Sequence, residues 1–243
     1  MRRRNTGTAG RRVQKTKRKV GRKRAAPTLT ADLQQQIDST LPIGYSKVAP
    51  GHLVCVVTFL EMTTRPASLP EVVLPDGITL DALHRPDLAA YRTLFRKVGA
   101  DWLWSSRLVM SDDELSAILN DARYKIFVVR EDGGDIGLLE LDFRKPDECE
   151  LSFLGLVAGA TGKGHGRSLM NRALDLAWSR PIRRMWVHTC TIDHPSALGF
   201  YIRSGFKPYA VQVEVQSDPR LTGHLPLDAA PYVPVIRAGH RRV

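Results

Sequence analysis

Leu156-Val-Ala-Gly-Ala-Thr-Gly-Lys-Gly-His-Gly-Arg-Ser-Leu-Met170 passes from an apolar strand pattern through alternating glycines into a helical one. Glycine lets a backbone approach a ligand closely and adopt positive φ. Unpaired N–H groups at the helix start, with the helix dipole behind them, make a site for an anion. A phosphate-bearing ligand is the natural guest. Two common phosphate loops do not fit: a Walker A motif finds Val157 where its first glycine belongs and Gly164 where Ser or Thr belongs. The dinucleotide fingerprint finds Arg167 in place of its third glycine. A Gly-x-Ser-x-Gly nucleophile elbow occurs nowhere in the chain.

Working outward, Glu148–Val157 reads as the strand that feeds this loop, and a helix is expected from about Gly164 to Ser179. Upstream, Tyr124–Glu131 and Asp135–Phe143 are strands joined by Asp132-Gly-Gly, a hairpin signal. Before them, Ser111-Asp-Asp-Glu114 is a capping box ahead of Leu115, Ile118 and Leu119. Pro86 opens another helix, with Leu88, Tyr91, Leu94, Phe95 and Val98 at helical spacing. Gly77–Leu83 is a short strand, and His52–Met62 is a further strand rich in β-branched residues. A short helix is expected near Ala31–Ile37. Downstream come a strand over Arg184–Ile192 and a helix from Pro195 to Gly205. Val211, Val213 and Val215 then alternate with Gln212, Glu214 and Gln216, the pattern of a half-buried strand. Pro226, Pro231 and Pro234 prevent regular structure after Ser217. From Gly77 the order β-α-α-β-β-β-α-β-α-β predicts an α/β fold with a mixed sheet.

The loop resembles the acetyl-CoA loop of the GNAT superfamily of N-acyltransferases, Arg/Gln-x-x-Gly-x-Gly/Ala between a strand and a helix. Thr161-Gly-Lys-Gly-His-Gly166 supplies both glycines, with Thr161 in place of the usual Arg or Gln. A second block of that family, Asn-x-x-Ala-x-x-Phe-Tyr-x-x-x-Gly-Phe, is matched by His194-Pro-Ser-Ala197-Leu-Gly-Phe200-Tyr201-Ile-Arg-Ser-Gly205-Phe206, with His194 for Asn. The resemblance covers about residues 77–216. It implies a mixed, mostly antiparallel central sheet flanked by helices, with acetyl-CoA as cosubstrate. It divides the chain into a basic arm (1–27), an N-terminal extension with an extra strand (28–76), the acetyltransferase domain (77–216) and an irregular C-terminal segment (217–243).

Acyl transfer from a thioester to an amine requires a neutral amine, stabilisation of charge on the thioester oxygen, and a proton for the departing thiolate. Glu150, eleven residues before Thr161, is the candidate base, at the offset used by the family's histone-acetylating branch. Its structural reading is an edge or surface glutamate; Glu140, Asp142 and His188 are alternatives, and His188, which shares a strand face with Trp186 and Cys190, can be a core histidine. The resemblance makes backbone N–H groups near Leu156 and Val157 the donors to the thioester oxygen and Tyr201 the acid for sulfur. Tyr201 lies two turns after His194 on the same helix face. Thr161, Gly162, Lys163, Gly164, His165, Gly166, Arg167, Ser168 and His194 complete the expected coenzyme site. His188, Cys190 and His194 match no zinc spacing, and no metal is expected.

Charge is uneven. Residues 1–26 hold 12 of the 36 Lys and Arg, leaving 24 basic against 25 acidic residues in the rest. The arm is expected to be disordered, having little to bury. It reads either as a solvated tail or as a weak phosphate-backbone contact for nucleic acid through residues 2–24. No aromatic interleaves its charges. Three widely spaced cysteines, no apolar segment after the basic start and no spanning run predict a protein of the reducing cytoplasm with no membrane contact. The competing function is a scaffold that binds acyl-CoA without turnover, or a module recruited to nucleic acid by the arm. The acceptor, a small-molecule or protein amine, has no diagnostic pattern. The extra strand and the C-terminal segment are candidate homodimer surfaces.

Overall fold

Asp132 and Gly133, with φ of 50° and 81°, close a tight hairpin at the turn the sequence predicts. In the computed structural model, which describes residues 41–66 and 74–239, the chain first forms strands β1 (His52–Met62) and β2 (Ile78–Leu83). Helices α1 (Leu88–Gly99), the single turn α2 (Ser106–Val109) and α3 (Asp112–Leu119) follow. Strands β3 (Tyr124–Glu131), β4 (Gly134–Asp142) and β5 (Glu148–Leu156) lead to helix α4 (His165–Trp178). Strand β6 (Arg184–Cys190), helix α5 (Ala197–Arg203) and strand β7 (Lys207–Ser217) complete the order. The basic arm and the helix expected near Ala31–Ile37 lie outside the described residues. Residues 41–47 carry no helix or strand and are exposed.

The helix ends follow from their caps. Asp87 accepts the Ala90 N–H at 2.8 Å, so α1 begins at Leu88, two residues after the proline that announces it. At α3 the Ser111–Glu114 box is complete in both directions. The turn α2 was not foreseen, because four residues between Trp104 and Met110 carry no periodicity to read.

All seven strands form one sheet in the order β2-β3-β4-β5-β6-β1-β7. Every neighbouring pair is antiparallel except β5–β6. This is the mixed, mostly antiparallel sheet that the family resemblance implies. One face packs Tyr91, Phe95 and Val98 of α1 with Leu115 of α3 against the sheet. On the other, Met170, Ala173 and Leu174 of α4 and Tyr201 of α5 cover Leu139, Leu151 and Val187.

Two placements differ from expectation. Strand β1 lies between β6 and β7, paired on both sides, so it offers no free edge to a second copy. Only β7 ends the sheet there. β7 is not the half-buried strand expected: Val211, Val213 and Val215 are 64%, 42% and 55% exposed, and Gln212 and Glu214 between them are exposed as well. A period of two distinguishes two faces without saying which one is covered. Glu214, itself exposed, and the half-buried Gln216 border the interior cavity.

The C-terminal segment has no helix or strand, as its prolines require, yet it is fastened into the core. Asp218 and Arg220 form a fully buried pair at 2.8 Å. Arg220 Nη1 also donates toward the carbonyls of Ala229, Ala230 and Val233 at 3.2, 3.3 and 2.8 Å. Among the described residues no helix is long and apolar enough to cross a membrane.

Candidate active site

The site begins where two strands part. β5 and β6 pair in parallel only at Glu148–Glu150 with Arg184–Trp186. β5 stays zipped to β4 as far as Leu156, with a bulge between Leu151 and Phe153. Beyond Glu150 the β5–β6 edge therefore opens as a wedge. A cavity of about 750 Å³ occupies it, walled by both strands, the glycine loop, α5 and the turn before α2. Gly155 is required at this point: a Cβ there would come within 2.5 Å of Val98 and 2.8 Å of Trp104, which close the wedge from above.

At one end is the glycine loop. Gly162 and Gly164 have φ of 80° and 86°, and a Cβ added at Gly162, Gly164 or Gly166 would enter open space. The amides of Gly162, Lys163 and Gly164 make no hydrogen bond within the described residues. They sit at the start of a 14-residue helix whose first turn holds no acidic residue. Free donors, room and a positive dipole end together fit a diphosphate.

The side chains expected around that loop divide. Thr161, Gly162, Gly166 and His194 line the cavity. The Thr161 hydroxyl donates to Ala158 O at 2.7 Å, so it braces the turn. His194 Nδ1 accepts the Ser196 N–H at 3.1 Å, a turn contact just before α5. Its ring meets Trp102 edge to face at 5.1 Å. Lys163 Nζ turns to Glu131, 3.4 Å away, and His165 is buried with Nε2 3.6 Å from the same carboxylate. Arg167 ties α4 to α5 through Ser204 Oγ at 3.2 Å. Ser168 does not reach the cavity wall.

At the wedge itself stand Glu150 and Tyr201, and the cavity is lined by both. Burial and the neighbouring Asp142 carboxylate push the Glu150 pKa up to about 7. His188 Nδ1 lies 3.9 Å from Glu150 Oε1, and burial holds its pKa below the usual value. The other two carboxylates considered for the base are committed elsewhere. Glu140 is fully buried and takes the Tyr91 hydroxyl at 2.5 Å and the Tyr124 hydroxyl. Asp142 is held by Arg144 at 2.6 Å. Tyr201 is buried against Phe200 and Phe206, and its hydroxyl has no partner among the described residues. Burial pushes its pKa well up, so it keeps its proton.

Leu156 and Val157 part company. The Val157 N–H is spent on Ile136 O at 2.8 Å and cannot serve a ligand. In an antiparallel ladder successive N–H groups alternate in direction, so the Leu156 N–H points across the wedge.

Sequence reading missed three contributors. Arg107 on α2 lines the cavity with its guanidinium 3.6 Å from buried Glu140, donating to the Tyr124 hydroxyl at 2.7 Å. Asp193 takes Trp104 Nε1 at 3.1 Å, Thr189 Oγ1 at 2.8 Å and the Cys190 N–H at 2.8 Å, locking the α1–α2 connection to the end of β6. Glu214 reaches the cavity from β7. For Arg107 the chain carries no local signal, because Tyr124 and Glu140 are far away in sequence; Asp193 has near partners in Thr189 and Cys190, but its link to Trp104 spans 89 positions.

This arrangement has relatives. Residues 91–206 match the model of the acetyltransferase (GNAT) family. A mycothiol acetyltransferase of Beutenbergia cavernae is 33% identical over 37% of this chain and 30% of its own length, so the chain spans less than a third of that relative. A spermidine N(1)-acetyltransferase of Vibrio cholerae is 30% identical over 53% of this chain and 78% of its own length. Among solved structures, a GCN5-related N-acetyltransferase from Sphaerobacter thermophilus is similar at TM-score 0.48 and 14% identity, over 68% of this chain and 53% of that one. With both sequence blocks falling inside the matched residues and most of the Vibrio cholerae relative covered, the chain belongs to the acetyltransferase (GNAT) family.

Proposed function

We propose that the chain is an acetyl-CoA-dependent N-acetyltransferase in which a primary amine attacks directly in a ternary complex. Bound with its diphosphate on the amides of residues 162–164, acetyl-CoA would supply the activated acyl group. Everything else falls to this chain's own residues. Glu150 takes the proton from the incoming ammonium, for which a pKa near 7 is suited: the carboxylate is half ionised at neutral pH and basic enough to accept. The Leu156 N–H stabilises negative charge developing on the acyl oxygen. Tyr201 holds a proton toward the thiol end of the wedge. With a raised pKa it acts there as a hydrogen-bond donor that remains protonated.

The observation that carries this reading is the carboxylate of Glu150. Its pKa is raised, and it stands in the same cavity as the glycine loop and the Tyr201 phenol. The names of both relatives describe acetyl transfer, which agrees with it. The test is thiol release from acetyl-CoA by the purified chain against a panel of amines. Release that depends on the added amine is expected. Tight coenzyme binding without turnover across the panel would instead make this a binding scaffold.

A further inference from the structure

Residues 218–239 lie beyond the stretch that matches the family model, and they carry no helix or strand. Their path is nonetheless fixed. Arg220, 3% exposed and paired with Asp218, gathers the carbonyls of Ala229, Ala230 and Val233 around one guanidinium. Ala230 is held there at a φ of 46°, a conformation that persists in a non-glycine residue only where its surroundings impose it. Leu225, Ala229 and Ala230 are buried in the same core as Tyr91 and Phe95 of α1. Two residues past that bend, Tyr232 meets two elements at once.

Its hydroxyl lies 2.9 Å from Asp101 O, in the turn Ala100–Trp102 that follows α1, and 2.7 Å from Ile192 O, in the link between β6 and α5. A phenol has one proton, so it donates to one of these carbonyls at a time. Burial and the nearby Asp193 raise its pKa, so the proton stays in place. The two segments it joins are walls of the cavity, Trp102, Leu103 and Trp104 on one side and Ile192, Asp193 and His194 on the other. The first of them is a single helical turn followed by Leu103 at a φ of 53°, with no strand pairing. Besides Tyr232, the side-chain hydrogen bond tying it across is Trp104 Nε1 to Asp193 at 3.1 Å. Tyr232 itself does not line the cavity, and none of these bonds involves residues 161–166.

Resting on the transferase reading, we propose that the C-terminal segment is part of the catalytic apparatus and that Tyr232 is a positioning residue for attack by the amine. It clamps the connection Ala100–Trp104 to the Ile192–His194 link and so fixes the roof over the wedge where amine and acyl group meet. Reacting groups misplaced by about an ångström lose much of their rate. The glycine loop stands outside the clamp, so coenzyme binding does not depend on it.

Tyr232→Phe removes the hydroxyl and keeps the ring, and is compared with wild type as the full chain. By hydrogen exchange, the amides of Leu103 and Trp104 should exchange about tenfold faster, the worth of one hydrogen bond, with the glycine loop and β3–β5 unchanged. The acceptors are benzylamine, glucosamine, glycylglycine and spermidine. For whichever of them the wild type acetylates, kcat/KM should fall by about tenfold, while the Kd for coenzyme A stays within about twofold. The melting temperature should fall by no more than about 4 °C. Unchanged exchange at residues 100–104, or faster exchange with unchanged turnover, overturns the proposal. So does a loss of coenzyme affinity together with faster exchange throughout the chain, which would make Tyr232 a general brace. Failure of the parent reading looks different. If the wild type releases no thiol with any amine, the transferase reading fails, and exchange alone decides the clamp: faster at residues 100–104 upholds it, unchanged refutes it.

Discussion

At one end of the cavity, residues 161–166 offer main-chain amides and bare glycines from one continuous stretch. At the other, Arg107, Glu150, His188 and Glu214 bring side chains from four separate elements. The first end depends on backbone conformation and tolerates changes of side chain that leave it intact. The second depends on the whole sheet being correctly registered. The difference teaches which substitutions matter where: shape at the loop, chemical identity at the acceptor end.

The sharpest way to break that contrast is Glu150→Gln, nearly isosteric but unable to take a proton. Loss of a general base is worth about a hundredfold or more, so kcat should fall by about that much with little change in coenzyme affinity. The pH profile carries the same signature. The base works only when ionised, so wild-type activity should fall as pH drops below about 7, and the Glu150→Gln remnant should lack that limb. Stability runs the other way. Because the folded chain holds this proton up to about 7 and the unfolded chain only to about 4.5, stability is lost as pH rises between them. Glu150→Gln should therefore melt later than wild type at pH 8, by thermal unfolding.

Gly164→Val comes next. It forces a branched residue to a φ of 86° and puts carbon into the space the diphosphate needs. Weaker coenzyme binding by about thirtyfold is expected in a titration, consistent with strain of about 2 kcal/mol. Glu140→Gln probes the acceptor end from behind. Removing one partner of a buried, hydrogen-bonded ion pair costs about 3 kcal/mol, to be read in a denaturant melt. Tyr201→Phe should slow turnover by about tenfold, a lost hydrogen bond to a charged group. Thr161→Arg, which restores the family's usual residue, should stay within about threefold of wild type for CoA, since the Thr161 hydroxyl only braces the turn and an exchange at the surface is worth little.

The same contrast explains what was legible. The loop, the two hairpinned strands, the capping box and α5 are written locally, in glycine spacing, Asp132-Gly-Gly, Ser111–Glu114 and Phe200-Tyr201, and each formed where the pattern placed it. Glu150 was found because a motif fixed its offset. Strand order was not legible, since nothing in His52–Met62 says that it will enter between β6 and β7. Nor was the outward face of Val211, Val213 and Val215, because burial there depends on whether a helix covers that corner. Val157 shows the limit most clearly: its amide direction is set by register with Ile136, a residue twenty-one positions away.

The account stands on the loop holding a coenzyme diphosphate. Titrating coenzyme A into the purified chain in a calorimeter tests this most directly. A saturable one-to-one heat, weakened in Gly164→Val and unchanged in Glu150→Gln, is predicted. Absence of any heat with coenzyme A or its acetyl thioester would contradict it.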